Sequence, residues 1–322
     1  VAPCCRCLHC HGNLDFGAIR VPEFCRVNPV SMKAYTEDFP EGYAPAVADV
    51  PKKIVVIGAG PAGMEAAMVA AQRGHNVTLC EKNSYLGGML PFANAIKGDL
   101  EKFELPGEIG DHERLMDLVA YLTRQLELLD VEVVTGTEMD AQSIAAMEPD
   151  AVILACGGKR APQFEGAEGV VQMDDIMGAE IGQSVVILGA GTQATDLAGW
   201  LLANGKKVQL VHGGTADDID KEQSAWMRLY MLPNLYPRGM RAWNGATVES
   251  VEPGAVNITT GSGLPETLAC DTVVECQDMV PNTAIAEELA ALGIECVSVG
   301  DCAAPCNIQQ ATYTGNIAAR RI

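Results

Sequence analysis

Two stretches of the chain share one hydrophobic grammar. Ile54-Val55-Val56-Ile57 is a continuous β-branched run of the kind that fills a strand buried on both faces. It opens directly onto Gly58-Ala59-Gly60-Pro61-Ala62-Gly63. A helix is predicted from there to about Arg73, Gly74 stops it, and Val77-Thr78-Leu79-Cys80 reads as a second strand ending at Glu81. The order returns after Ser184: strand Val185-Val186-Ile187-Leu188, turn Gly189-Ala190-Gly191-Thr192-Gln193-Ala194, helix Thr195 to Ala203, and strand Val208-Gln209-Leu210-Val211, followed by His212. Gly58 to Glu81 and Gly189 to His212 are equally spaced, so the chain carries an internal repeat of a β-turn-α-β unit.

Around the repeats, residues 113–128 have the apolar spacing of an amphipathic helix and Val131–Val134 reads as a strand. Asp150–Leu154 reads as another strand, running into Ala155-Cys156-Gly157-Gly158. Lys221–Leu232 is expected to be helical and Ala246–Thr260 to form a hairpin or meander. Asp271–Val274 is expected as a strand, Ala284–Leu292 as a helix, Val297–Asp301 as a last strand and turn, and Gln309–Ile322 as a terminal helix. Alternating strand and helix signals of this kind predict an α/β fold of two Rossmann-like domains. No regular element is expected before Ile54.

Composition narrows the function. A chain of 322 residues, 48% hydrophobic with 33 glycines, has room for two cores. Its net charge of −20 disfavours nucleic acid and anionic lipid surfaces. No apolar run reaches the roughly 20 residues that span a bilayer, and no signal segment is visible, so a cytoplasmic protein with no membrane partner is expected. The first residue is Val1, which suggests a fragment of a longer protein.

A glycine turn between strand and helix lets the backbone approach a pyrophosphate and points free N–H groups at it. Gly58, Gly60 and Gly63 have the full dinucleotide spacing, and Glu81 stands where a carboxylate would accept the adenosine ribose hydroxyls. In the second copy Gly189 and Gly191 are kept, Ala194 replaces the third glycine and His212 replaces the carboxylate. A neutral imidazole can still bond one ribose hydroxyl. No Arg or Lys directly follows it to hold a 2′-phosphate, which favours NADH without excluding NADPH. A second fold that binds no nucleotide is the competing possibility.

Twelve cysteines are present, and Cys4, Cys5, Cys7, Cys10 and Cys25 crowd the start of the chain. With no secretory signal, such crowding points to metal or redox chemistry before a disulfide framework. Cys4, Cys7 and Cys10, with the remote Cys25, can supply four thiolates to an iron-sulfur cluster or equally to zinc. His9 and His11 are candidates for the surroundings of such a centre.

Taken together, these motifs resemble the iron-sulfur flavoenzymes of the old yellow enzyme type, the group of 2,4-dienoyl-CoA reductase, trimethylamine dehydrogenase and 2-enoate reductase. The resemblance covers the part of those enzymes that follows their FMN-binding TIM barrel. It implies a 4Fe-4S cluster on Cys4, Cys7, Cys10 and Cys25, the last lying just before Asn28-Pro29. It implies FAD at Gly58, Gly60, Pro61, Ala62, Gly63, Glu81, Lys82, Gly87, Gly88, Gly157, Gly300 and Asp301, and a nicotinamide nucleotide at Gly189, Gly191, Ala194 and His212. The implied fold is of the glutathione-reductase-like type, the second domain inserted in the first. Residues 1–50 form the iron-sulfur segment and linker, 51–165 with 284–322 the FAD domain, and 166–283 the nicotinamide domain.

The expected function is passage of electrons from NADH through FAD and the cluster to FMN on a TIM-barrel domain or subunit of an ene-reductase type enzyme, homo-oligomeric at full length. No side chain of this chain is then a catalytic acid or base. Two alternatives compete: a self-contained NAD(P)H-dependent disulfide or thiol reductase, and a non-catalytic docking subunit. The reductase needs a cysteine pair beside the flavin, and no CxxC spacing occurs outside the N-terminal cluster.

Overall fold

The computed structural model describes residues 2–7, 10, 14–15, 18–19, 25–98 and 114–322. Two short strands, β1 (Leu14–Asp15) and β2 (Ala18–Ile19), pair antiparallel near the start. His9 and His11 lie outside the described residues. The chain divides into two units. The first takes in the chain up to Asn94, the stretch ending at Lys159, and Met279–Ile322; the second comprises Arg160–Asp278 together with the stretch that begins at Ala95.

The first unit is built on β3 (Lys53–Ile57), whose four apolar residues are all buried, as the unbroken β-branched run requires. After it come α1 (Pro61–Gln72), β4 (Asn76–Cys80), α2 (Leu90–Gly98), whose residues from Ala95 belong to the second unit, α3 (Leu115–Leu128), β5 (Glu132–Val134), α4 (Ala141–Ala146) and β6 (Ala151–Leu154). One parallel sheet results. Its order is β15-β6-β3-β4-β5, in which β15 (Cys296–Ser298) is a late return of the chain after the second unit. Helix α1 packs against α8 (Ile308–Arg321) so closely that a Cβ on Gly315 would strike the Ala62 carbonyl. α3 contributes Leu115, Leu118, Leu122 and Leu126 to burial, a stripe at helical spacing.

The second unit repeats the plan. β7 (Val170–Gln172), β8 (Ser184–Leu188), α5 (Thr192–Ala203), β9 (Lys207–Val211), α6 (Ala225–Leu235), β10 (Met240–Trp243) and β14 (Thr272–Glu275) give a parallel sheet of order β10-β9-β8-β14-β7. A separate antiparallel meander, β11 (Thr247–Glu252), β12 (Ala255–Thr259) and β13 (Pro265–Ala269), covers it with Val256, Ile258 and Leu268. α7 (Ala284–Ala291) belongs to the first unit.

Several elements differ from the sequence reading. The hairpin or meander expected over Ala246–Thr260 is a meander that extends past Thr260 by a third strand, β13, whose exposed Glu266 and Thr267 hide its strand period. The helix expected over Lys221–Leu232 runs Ala225–Leu235, because the Ser224 hydroxyl caps it by accepting from the Met227 N–H. The strand and turn expected over Val297–Asp301 are present as β15, which begins one residue earlier at Cys296, and a 3-10 segment over residues 300–302.

Candidate functional site

In the first unit the turn after β3 is set by Gly58, whose φ of +99° an L side chain rarely adopts and whose Cβ would strike the Ala155 carbonyl. Gly60 caps α1 in an extended conformation with Pro61 at the first helical position. A Cβ on Gly63 would strike the Gly58 carbonyl, so turn and helix touch only because residue 63 is glycine. Ala62 is buried in the same helix start. Gly87 donates its N–H to the Ala59 carbonyl at 2.8 Å, and Gly88 lies where its Cβ would come within 2.9 Å of the Gly60 Cα.

Glu81 is nearly buried and holds this turn from below. Its Oε2 accepts from the Ala59 N–H at 2.7 Å; its Oε1 accepts from the Asn83 N–H and side-chain amide, both at 2.8 Å. A carboxylate offers about four acceptor sites, so three donors leave one for a ribose hydroxyl. Lys82 beside it is exposed. Asp301 follows Gly300, whose N–H donates to Thr314 Oγ1 at 2.9 Å. Burial pushes the Asp301 carboxyl up, against the Cys306 N–H that donates to it. The first-turn N–H groups of α1, lacking acceptors within the helix, and glycines that let the backbone come close together fit a pyrophosphate. The residues present therefore fit a flavin dinucleotide.

In the second unit Gly189 has φ +137° and would meet the Cys276 carbonyl if it carried a Cβ. Gly191 caps α5, and Ala194 is fully buried in that helix, where a methyl group is accommodated. A cavity of about 470 Å³ opens over this turn, bounded by Gly189–Gly191, His212–Gly214, Asp218, Lys221, Glu222, Gln277 and Asp278. Among its described lining residues, three carboxylates face one ammonium.

His212 follows β9 at the position where the sequence leads one to expect a ribose contact, and both its nitrogens are engaged. Nδ1 accepts from the Gly214 N–H at 3.2 Å, so the neutral ring carries its proton on Nε2 and donates to Asn244 Oδ1 at 2.7 Å. The hydrogen bond to ribose expected of His212 has no free acceptor on this ring. Asp218 instead offers a carboxylate at the rim, its Oδ2 held by the Thr215 N–H and hydroxyl at 2.8 and 2.9 Å, which keep it below the usual range.

Three features of the sites escaped the sequence reading. Asp220, in a left-handed conformation beside the second turn, takes a hydrogen bond from Thr192 Oγ1 at 2.7 Å; burial raises its carboxyl to about 7. Asp278 places a carboxylate oxygen 2.9 Å from where a Gly191 Cβ would stand. Cys156 and Cys302 meet beyond the ends of the paired strands β6 and β15, though Arg160–Asp278 of the second unit separates them in sequence. The only advance signal was that each adjoins a glycine motif.

The expected cluster set is not assembled. Cys4, Cys7, Cys10 and Cys25 are all described, and no three His, Cys, Asp or Glu side chains among the described residues are grouped to hold a metal ion. The reason lies in alternate burial along the run: Cys5 and Cys7 turn inward, Cys5 into the core of α1 and α3, while Cys4 and Cys10 face solvent. Cys10 still lies within electrostatic reach of Cys25 and Cys4, whose charges join burial in raising its thiol. No helix among the described residues is long and apolar enough to cross a membrane.

A family model for pyridine nucleotide-disulphide oxidoreductases matches residues 52–313. NADH oxidase of Thermoanaerobacter brockii is 31% identical over 314 residues, which cover 94% of this chain and 44% of that protein. Bilirubin reductase of Mediterraneibacter gnavus is 30% identical over 281 residues, covering 84% and 41%. A solved complex of 2-naphthoyl-CoA reductase with 2-naphthoyl-CoA has a TM-score of 0.78 at 28% identity, covering 94% of this chain and 44% of its own. The chain spans less than half the length of each of these relatives. The match over residues 52–313 corrects the resemblance to the TIM-barrel enzymes of the old yellow enzyme type: the family identified is defined by the paired Rossmann domains themselves. The glycine turns that carried the resemblance are common to both groups, which is why they could not separate them.

Proposed function

The chain belongs to the pyridine nucleotide-disulphide oxidoreductase family of NAD(P)H- and flavin-dependent oxidoreductases, and on that footing we propose that it holds FAD on its first unit and NADH on its second. The observation that carries the reading is the first glycine turn, pinned by Glu81 through Ala59 and open to a pyrophosphate at the start of α1. Bound FAD supplies hydride acceptance from a reduced nicotinamide. The chain's own residues bind and orient: Gly58 and Gly63 fix the backbone, Glu81 receives ribose, and Gly300-Asp301 borders the same region through the contact of Gly300 with Ala62.

NADH is favoured over NADPH because Asp218, Glu222 and Asp278 line the second cavity against Lys221 alone, and a 2′-phosphate would meet those carboxylates. The test is flavin identification by mass, followed by anaerobic titration with each nucleotide. FAD bleached by NADH at far lower concentration than by NADPH is expected; absence of a flavin, or bleaching by NADPH alone, overturns the assignment.

For the onward electrons, a thiol or disulfide acceptor accords with the family matched. The second reading is a 4Fe-4S relay on Cys4, Cys7, Cys10 and Cys25 toward FMN on a TIM-barrel domain or subunit. The closeness of Cys10 to Cys25 and Cys4 favours it. Iron and acid-labile sulfide near four per chain would support the relay, and their absence from anaerobically purified protein would remove it.

A further inference from the structure

Asp218, Lys221 and Glu222 line the cavity over the second glycine turn, whereas Asp220, in the midst of them, is 3% exposed and turns into the protein. Its left-handed backbone, with φ +54°, makes that reversal. The Asp220 N–H donates to the Ala190 carbonyl at 2.8 Å, and its Oδ1 accepts from the Thr192 hydroxyl at 2.7 Å. Ala190 lies within the turn and Thr192 opens α5, so one buried residue grips the chain on either side of Gly191. Other charges surround it. Asp196, one helical turn further along α5, is taken by Lys97 of α2 at 2.7 Å. Arg228 of α6 donates to the Asp217 carbonyl at 2.8 Å and acts on Asp220 through space. Burial, and after it Asp196, push the Asp220 carboxyl up to about 7, against Thr192, Lys97 and Arg228.

A helix N-terminus has one positive end to offer an anion. An ionised Asp220 on one side of Gly191 and a pyrophosphate on the other would both draw on it, and they would repel each other across the thickness of the backbone. We propose that Asp220 is a positioning residue of the nucleotide site that takes a proton from solvent as a dinucleotide pyrophosphate settles on the Gly189–Gly191 turn. The proposal rests on the nucleotide reading of the second unit given above and deepens it. On binding, the carboxylate gains one proton on Oδ2 and becomes a neutral acid, with Thr192 still donating to Oδ1. The grip on the turn is kept and its charge is removed. One negative charge fewer then stands beside a site already lined by Asp218, Glu222 and Asp278. The sign follows from linkage: the protonated form binds better, so affinity is full below about 7 and declines as pH rises through that value. By reciprocity the bound pyrophosphate raises the carboxyl further.

The test uses the full chain saturated with FAD and the probe ADP-ribose, which carries the pyrophosphate and cannot reduce a flavin. Calorimetry in buffers of different ionisation enthalpy should show uptake of roughly half a proton per site at pH 7 and next to none at pH 5. The dissociation constant should rise about fivefold or more from pH 6 to pH 8. Asp220→Asn suits the left-handed backbone and keeps an acceptor for Thr192. It should hold the wild type's low-pH affinity across that range and lose the uptake, whereas a residue with a merely structural role would leave the pH profile in place. Uptake retained in Asp220→Asn, or absent from the wild type, overturns the proposal. Should that variant not fold, Thr192→Val decides: it removes the donor that favours the charged carboxylate, so the midpoint of uptake should move to higher pH, and an unmoved midpoint overturns the proposal equally. Failure of the wild type to bind ADP-ribose would strike the nucleotide reading; binding without proton uptake strikes only the coupling.

Discussion

Glu81 ties its own turn together before any ligand arrives, because Ala59 N–H and the two Asn83 donors already point at its carboxylate. Charge-assisted bonds of this type contribute about 1.5–3 kcal/mol each. Glu81→Ala should therefore weaken FAD retention by roughly ten- to a hundredfold, measured by flavin fluorescence on dilution, and an unchanged dissociation constant would show that the turn is self-supporting. A second residue acts on stability. Glu65 is completely buried on α1 and accepts from Asn316 Nδ2 at 2.7 Å, and burial raises its carboxyl to about 7. A raised folded value means that the native state holds its proton longer than the unfolded chain does. The stability present below the ordinary value of 4.5 is therefore lost as pH climbs through about 7. Glu65→Gln keeps the acceptor and removes the charge. It should raise stability at pH 8 by on the order of 1–3 kcal/mol and flatten the acid-to-neutral decline, both readable in denaturant titrations across pH.

At the scale of elements, the two glycine turns were legible because they are local: strand, turn and helix follow one another directly from Lys53 to Gln72 and from Ser184 to Ala203. The α1–α8 contact was not, although it fixes the floor of the first site. Gly315 in α8 looks in sequence like a weak helix residue, yet its missing side chain is what admits the Ala62 backbone. Gly315→Ala should cost about 1–3 kcal/mol or more by overpacking, whereas Gly178→Ala, with only Asp175 O at 3.8 Å, should be near neutral. Equal shifts in denaturation midpoint would refute the close-packing account. The cysteine pair and the His212–Asn244 bond were hidden for a related reason. Each joins residues that lie just past the ends of different strands, and a one-dimensional spacing rule sees only neighbours along the chain. The four-cysteine run shows the converse, since regular spacing in sequence places Cys7 inward and Cys4 and Cys10 outward.

On the scale of the molecule, a net charge of −20 sets the terms on which an anionic dinucleotide approaches. The second cavity adds to that field instead of opposing it, with Asp218, Glu222 and Asp278 on its lining and Asp278 close to the second glycine turn. Two contributions can be separated by salt. Repulsion from the distant surface is screened once the Debye length falls from about 30 Å at 0.01 M to about 8 Å at 0.15 M, while the carboxylate beside Gly191 acts at contact and is screened little. NADH KM should accordingly fall as ionic strength rises over that range, the reverse of a site steered by basic residues. Asp278→Asn should lower KM at every salt concentration with the slope retained, because it removes the contact term and leaves the global one. A KM that rises with salt would mean that Lys221 or another cation, and not the acidic majority, governs capture of the nucleotide.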